Sequence, residues 1–395
     1  MKCRFLSINV FLFFVISILF FISIHAFDPF LSPYIRSIGV ESKTMGFIIG
    51  ATGLASVLLR FPVGIISDKL FKRKLIIQIG LLFTVISWPL VYLHPTAETL
   101  FSAKLADGIT SATWVIYNVF FVSMFPPLQA ASAIALLSVA SPVGAFIGIA
   151  VAGYVASGFG PESSFLVASC SALLALVLTF FVSELKTEAP PETLEISAVK
   201  AQLHDKSIWL LGFLCALVTL VPFATRDTLT PLLAQDNGMQ VASLATLSGT
   251  HLFFYGLATA LCAPVFYKYL NLYKTAIIGG LLQAIAVIAM PLAPDIMTMF
   301  LAQAVAGVGF GMISTVLSSL AISNTPAWQQ STRLGLFQSI YSAGTFLGPV
   351  LVGYIKFYFD ISDAFFVVGA IAIISVLVLK QTIVVVEKNC EKVGV

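Results

Sequence analysis

The chain has 395 residues, of which 59% are hydrophobic and 10% charged, and its net charge is +3. Soluble domains carry about 25% charged residues, so a chain this apolar has no surface to offer water, which excludes a soluble enzyme and a nucleic-acid-binding domain. Five cysteines (Cys3, Cys170, Cys215, Cys262, Cys390) form no CxxC pair, and neither a disulfide framework nor a metal site is expected.

Lys2 and Arg4 precede an apolar run from Phe5 to Ile35 that is broken only by His25 and Asp28. The apolar core of a signal peptide is about 7–15 residues, so this run reads as a first membrane span. A bilayer core takes about 20 helical residues to cross, and in lipid the backbone must satisfy its own hydrogen bonds. Twelve stretches meet that need: 7–33, 44–67, 75–93, 98–122, 130–157, 163–183, 207–233, 242–266, 274–293, 296–321, 332–356 and 362–380. The expected fold is therefore an all-α membrane protein of twelve transmembrane helices.

The linkers are short except 184–206, where Pro190, Pro191 and alternating charges interrupt the apolar pattern. This predicts an N-terminal six-helix bundle (1–183), a cytoplasmic linker (184–206), a C-terminal six-helix bundle (207–380) and a cytoplasmic tail (381–395). With the amino terminus inside, fifteen of the 21 Lys and Arg fall in cytoplasmic segments. Arg36, Lys43 and Lys356 fall outside, and Arg60, Lys104 and Arg226 lie within spans. That bias predicts a multi-pass protein with both termini cytoplasmic. The halves also repeat at a shift of 200 residues: Gly144, Gly148, Gly153 and Tyr154 recur as Gly344, Gly348, Gly353 and Tyr354. A parallel duplication of this kind is a transporter architecture, with two pseudo-symmetric bundles and a site between them.

In chain order, the first span carries His25 and Asp28 one turn apart, with Pro29, Pro33 and Arg36 beyond. Near the end of the second span, Arg60 is expected to snorkel to the headgroups. The loop that follows reads Gly64-Ile-Ile-Ser-Asp68-Lys69-Leu-Phe71-Lys72-Arg73-Lys74. It resembles the loop motif of the major facilitator superfamily, with Phe71 where the family carries glycine. The resemblance, taken with the twelve spans and the repeat, covers almost the whole chain. It implies that Gly64, Asp68, Lys72 and Arg73 form a gate that holds the cytoplasmic side closed.

The fourth span carries Lys104 and Asp107 before Gly108, where the family often has arginine, two residues, glutamine and glycine. In the fifth, Gly144, Gly148 and Gly153 resemble the glycine motif of the family's exporters, but Ile149 and Ala152 replace a proline and a glycine. The seventh carries Arg226 and Asp227, and Asp227 is the counterpart of Asp28 at a shift of 199. The eleventh, with Gly344, Gly348, Pro349 and Gly353, reads closer to the exporter motif than the fifth, and small residues at such steps also serve plain helix packing. Trp209 and Trp328 are expected at the cytoplasmic interface.

An ionisable group at the centre of a span costs about 2.5–3.5 kcal/mol on insertion scales. His25, Asp28, Lys104, Asp107, Arg226 and Asp227 are accordingly candidates for proton coupling and for lining the cavity, because the resemblance places spans one, four, seven and ten around it. Ion pairing alone, Lys104 with Asp107 and Arg226 with a nearby carboxylate, would also account for them. Tyr34, Trp114, Tyr117, Gln303 and Tyr341 are candidate substrate contacts. No P-loop, HExxH or GxSxG occurs, so an enzyme is not expected, and neither is a cofactor. The resemblance implies a secondary transporter working by alternating access, similar to bacterial proton-coupled drug and metabolite antiporters. The expectation is proton-coupled export of a small organic molecule by a monomer in a bacterial inner membrane. The alternative is proton-coupled uptake of a sugar, an organic ion or a metal chelate. Expected partners are that substrate, protons and the lipid bilayer, and no nucleic acid.

Overall fold

A computed structural model describes residues 2–70, 72–125, 130–183, 200, 202–322, 325 and 330–392. Among these residues there are helices and no strands. Eleven helices are long and apolar enough to cross a membrane, and a shorter apolar helix, Ser163–Thr179, takes the sixth place. The first six spans are Lys2–His25 continued by Asp28–Ser37, Ser42–Leu70, Arg73–Leu93, Ala97–Ala112 continued by Trp114–Val122, Ala130–Phe159, and Ser163–Thr179. The second six are Lys206–Ala224 continued through Thr225–Leu229 to Asp236, Val241–Leu261, Tyr267–Ala289, Ile296–Ile322, Gln330–Tyr358 and Ile361–Lys392. The twelve-helix expectation thus holds, with limits shifted by a few residues. The last helix runs to Lys392, past the point where hydropathy alone placed a tail. The linker expected at 184–206 lies largely outside the described residues, as does Trp328.

Large apolar side chains point outward along the spans, among them Leu58, Leu93, Phe213, Ile285 and Leu301, each more than half exposed. On a soluble protein such a surface would aggregate; against hydrocarbon it is the favourable face. The interior is filled with aromatic and aliphatic side chains. In the first half Phe13, Phe20, Tyr117 and Phe121 are fully buried together. A larger cluster, from Phe27, Phe30 and Leu31 to Val221 and Leu232, runs across both halves.

The repeated glycines seat equivalent helices. In the first half Gly144 and Gly148 lie against the backbone of Ile18 and Ile22, and in the second Gly344 and Gly348 lie against Ala216 and Leu220. A Cβ at any of the four would meet backbone atoms of the neighbouring helix, so only glycine allows so close an approach. The fifth span packs on the first, and the eleventh on the seventh, in the same way.

Between the halves, Gly46, Gly50 and Gly53 of the second span face Pro349, Phe346 and Thr345 of the eleventh. Gly153 and Gly256 face Ala245 and Pro142 where the fifth span meets the eighth. Where spans one and seven end, Ser32 Oγ donates to the Thr228 carbonyl at 3.0 Å, and Arg36 is paired with Asp236. Beside them Lys43 Nζ lies 3.8 Å from the centre of the Phe357 ring and donates to the Tyr358 hydroxyl at 2.8 Å.

Candidate functional site

In spans one and seven the charged side chains sit where the helix is interrupted. In the first span Pro29 has no N–H to donate to the His25 carbonyl, and its ring crowds that carbonyl. The helix ends at His25 and restarts at Asp28, leaving the two side chains on either side of the break. His25 Nδ1 is 2.6 Å from Asp28 Oδ2.

In the seventh span Pro222 removes the donor for the Val218 carbonyl, which Gln283 Nε2 approaches instead at 3.4 Å. The chain then winds through one π turn, Thr225–Leu229, a wide turn that recurs at functional sites. Arg226 and Asp227 lie on this turn. Arg226 grips both oxygens of Asp227 through Nε and Nη2, the Nη2–Oδ2 distance being 2.6 Å. The same Nη2 lies 4.0 Å from Asp28 Oδ2. Arg226 therefore stands between an acid of each half, and all three side chains are buried.

The fourth span is interrupted too, at Thr113. About two and a half turns before that point, Lys104 Nζ lies 3.9 Å from Asp107 Oδ2 and 4.8 Å from the centre of the Phe27 ring, which sits in the break of the first span. Asp107 turns the other way: its Oδ1 accepts from Trp88 Nε1 of the third span at 3.1 Å. Three buried carboxylates, Asp28, Asp107 and Asp227, thus face two fixed cations, Lys104 and Arg226. The structure brings His25, Asp28, Arg226 and Asp227 into one cluster, sets Lys104 beside it across Phe27, and directs Asp107 into the first half.

Of the aromatic candidates, Trp114 stacks on Phe20 at 5.9 Å and meets Phe21, which lies parallel to the His25 ring at 6.2 Å. Tyr34 packs edge-on against Phe165 at 5.2 Å. Tyr117 is fully buried between Phe13 and Phe20, at 5.4 and 4.7 Å, and its hydroxyl has no partner. It fills the core of the first half, a correction to its reading as a cavity residue. Hydropathy fixes depth but not the direction in which a helix presents a side chain. Gln303 Nε2 donates to Thr230 Oγ1 at 2.9 Å, and its Oε1 is 3.1 Å from His251 Nδ1. Both Gln303 and His251 are buried.

Tyr341 leads to a second correction. Arg60 does not snorkel: its Nη1 donates to the Tyr341 hydroxyl and its Nη2 to Ser111 Oγ, each at 3.1 Å. The guanidinium thereby ties the second span to the fourth and, across the halves, to the eleventh. Its position inside a span was the available signal, and its partners were not readable. Of the loop motif, Gly64 is in helix, Lys72 is exposed and Arg73 opens the third span. The side chain of Asp68 lies outside the described residues.

A family model described as Major Facilitator Superfamily matches residues 13–249 and 213–389. The chain is 23% identical over 344 residues to the multi-drug resistance efflux pump PmrA of Streptococcus pneumoniae, covering 83% of this chain and 84% of that protein. It is 25% identical over 347 residues to the quinolone resistance protein NorA of Staphylococcus aureus, covering 85% and 86%. Among solved structures it is similar to the nucleoside transporter NupG, with a TM-score of 0.78 at 13% identity over 95% of this chain and 99% of that one. A bacterial homologue of the human lysosomal transporter Spinster, inward-facing and unoccupied, gives 0.75 at 16% identity over 96% and 95%. At these identities the structures share the fold.

Proposed function

This chain belongs to the Major Facilitator Superfamily, a family of transporters and not of enzymes, and from that premise we propose that it exports a small organic molecule in exchange for protons. It works as a monomer in a bacterial inner membrane with both termini in the cytoplasm. Residues 1–183 and 207–380 are the two halves that rock about a central site. The observation that carries this reading is the meeting of Asp28 and Asp227 on Arg226, 4.0 Å from Asp28 Oδ2, because it couples the charge of one acid to the position of the other half.

Protonation of Asp28 loosens its hold on Arg226 of the other half, and the charge on Asp227 sets how firmly Arg226 is held there, so proton uptake and the parting of the halves become one event. Outward of this cluster, Arg36–Asp236 closes the periplasmic end, and the cytoplasmic gate is assigned to Gly64, Asp68, Lys72 and Arg73 from the loop motif. Efflux is supported by the similarity to two resistance proteins and by the glycine-proline step at Gly348 and Pro349.

Uptake driven by the same protons would use the same groups with the opposite sign of coupling. Vesicles of known orientation separate the two. Under an imposed proton gradient directed into the vesicle lumen, a fluorescent quinolone should leave the lumen as protons enter. Its accumulation alongside the protons would reject export.

A further inference from the structure

Asp107 is fully buried, and the hydrogen atoms around it can be counted. A hydroxyl has one proton to donate. Thr110 Oγ1 lies 2.6 Å from the Gly80 carbonyl and 3.2 Å from the Ala106 carbonyl, both acceptors only, so the Thr110 proton is committed to these carbonyls, the nearer being Gly80. Thr84 Oγ1 lies 2.8 Å from Thr110 Oγ1, and with the Thr110 proton already placed, Thr84 must be the donor of that bond. The Thr84 oxygen also lies 3.3 Å from Asp107 Oδ1 and has no second proton to give it.

An ionised Asp107 would be poorly served by these neighbours. It would have one donor, Trp88 Nε1 at 3.1 Å, and a Thr84 lone pair facing its charge. Its Oδ2 has no hydrogen-bond partner. Lys104 Nζ is 3.9 Å from that atom, beyond hydrogen-bond reach. With one hydrogen bond and an ion pair at 3.9 Å, the desolvation of such a carboxylate is compensated only in part. A proton on Oδ1 completes the arrangement: the acid donates to Thr84, Thr84 to Thr110, and Thr110 to the Gly80 carbonyl.

We propose that Asp107 is a proton-carrying residue, held in this state as the neutral acid by the Trp88–Thr84–Thr110 chain. With Asp107 neutral, Arg226 holds Asp28 and Asp227, and Lys104 rests over the Phe27 ring in the field of Asp28. When the acid ionises, the O–H bond at Oδ1 breaks, the proton passes to water, and the electron pair stays on a carboxylate that draws Lys104 away from Phe27 and Asp28. Asp107 is then the second proton site of the transport cycle and acts on the central cluster through Lys104.

The charged groups that act on it are Lys104 of its own helix and Asp28 of the first span. The third span presents Trp88 and Thr84, and the second presents Thr52 and Ala55 beside Gly108, with Arg60 bound at Ser111 a turn away. The assignment extends the proton-coupled reading but is tested without substrate or gradient. Infrared spectra of the purified protein in nanodiscs, with and without 13C-carboxyl aspartate, should contain a protonated-carboxyl C=O band at neutral pH. That band should be lost in Asp107→Asn, shift in Thr84→Val, and fade reversibly as the pH is raised. Its absence from the native protein, or its survival in Asp107→Asn, overturns the assignment and leaves the direction of transport untouched. Should Asp107→Asn fail to fold, the Thr84→Val spectrum decides: an unmoved band is fatal to the assignment.

Discussion

Asp28 shares one oxygen between two partners of different character, His25 at 2.6 Å and Arg226 at 4.0 Å. Asp227 takes both contacts from Arg226 alone. The residues differ in what their loss should do. Asp28→Asn and Asp227→Asn each remove a titrating group while keeping its shape, so gradient-driven transport should fall at least about tenfold, or about 1.4 kcal/mol, with binding of a quinolone probe retained. Full coupling in both single variants, measured as proton-driven flux in vesicles, would end the proposed role. The sequence placed these charges by depth and spacing, and the repeat even paired Asp28 with Asp227. It could not show that both meet one guanidinium, because the rotation of each helix about its axis is set by packing. Arg60 was misread for the same reason: a cation near a span end has the same hydropathy whether it reaches for headgroups or for Tyr341.

At the scale of the element, the long apolar runs gave the twelve helices closely, since length and composition are what a bilayer selects. Their interruptions were less legible. Pro29 announces the break beside His25, but nothing in Thr225–Leu229 distinguishes a π turn from an α turn. The start of the seventh span shows how one terminus ties several helices. Asp205 Oδ1 accepts from the Ser207 N–H at 2.9 Å as a helix cap, and its Oδ2 pairs with Arg333 at 2.7 Å. Arg333 Nε donates to the Ala321 carbonyl near the end of the tenth span at 2.6 Å. Burial pushes the Asp205 carboxyl up, but the bonds from Ser207 and Arg333 outweigh it and hold the group below its usual range. A lowered acid stabilises the fold above its unfolded value, about 3.9, and loses that contribution as the pH falls through its folded value. The melting temperature of Asp205→Asn should therefore lie below that of the native protein at pH 7. The two should converge as the pH is taken from about 4 downward, a comparison made by thermal melting in detergent.

For the whole molecule, the halves are held at one end by Arg36–Asp236, by Ser32 on the Thr228 carbonyl and by Lys43 among the rings of the eleventh span. If that end must open in every cycle, fixing it should stop transport. In a variant whose native cysteines are replaced, Arg36→Cys with Asp236→Cys treated with a short bifunctional thiol reagent should lose flux, and reductive cleavage of the bridge should restore it. Undiminished flux in the cross-linked protein would show that this end stays shut throughout. The two halves are also not perfect copies. The helix contacts of Gly144 and Gly148 map onto those of Gly344 and Gly348 with Ile18 and Ile22 replaced by Ala216 and Leu220, an offset of 198 residues. Asp28 and Asp227 are offset by 199. The π turn lies across that step and has the effect of one residue added to an otherwise regular helix. An α-helix advances about 100° per residue, but a π turn is wider and takes up the added residue, so the helix beyond it continues without that rotation. A duplicated gene would by default aim its two acids at equivalent places around the axis. At the offset of 199 Arg226 stands where the first half has Phe27, so the copied span meets the original acid with a cation on its widened turn, and the halves address each other through a residue that one of them alone carries.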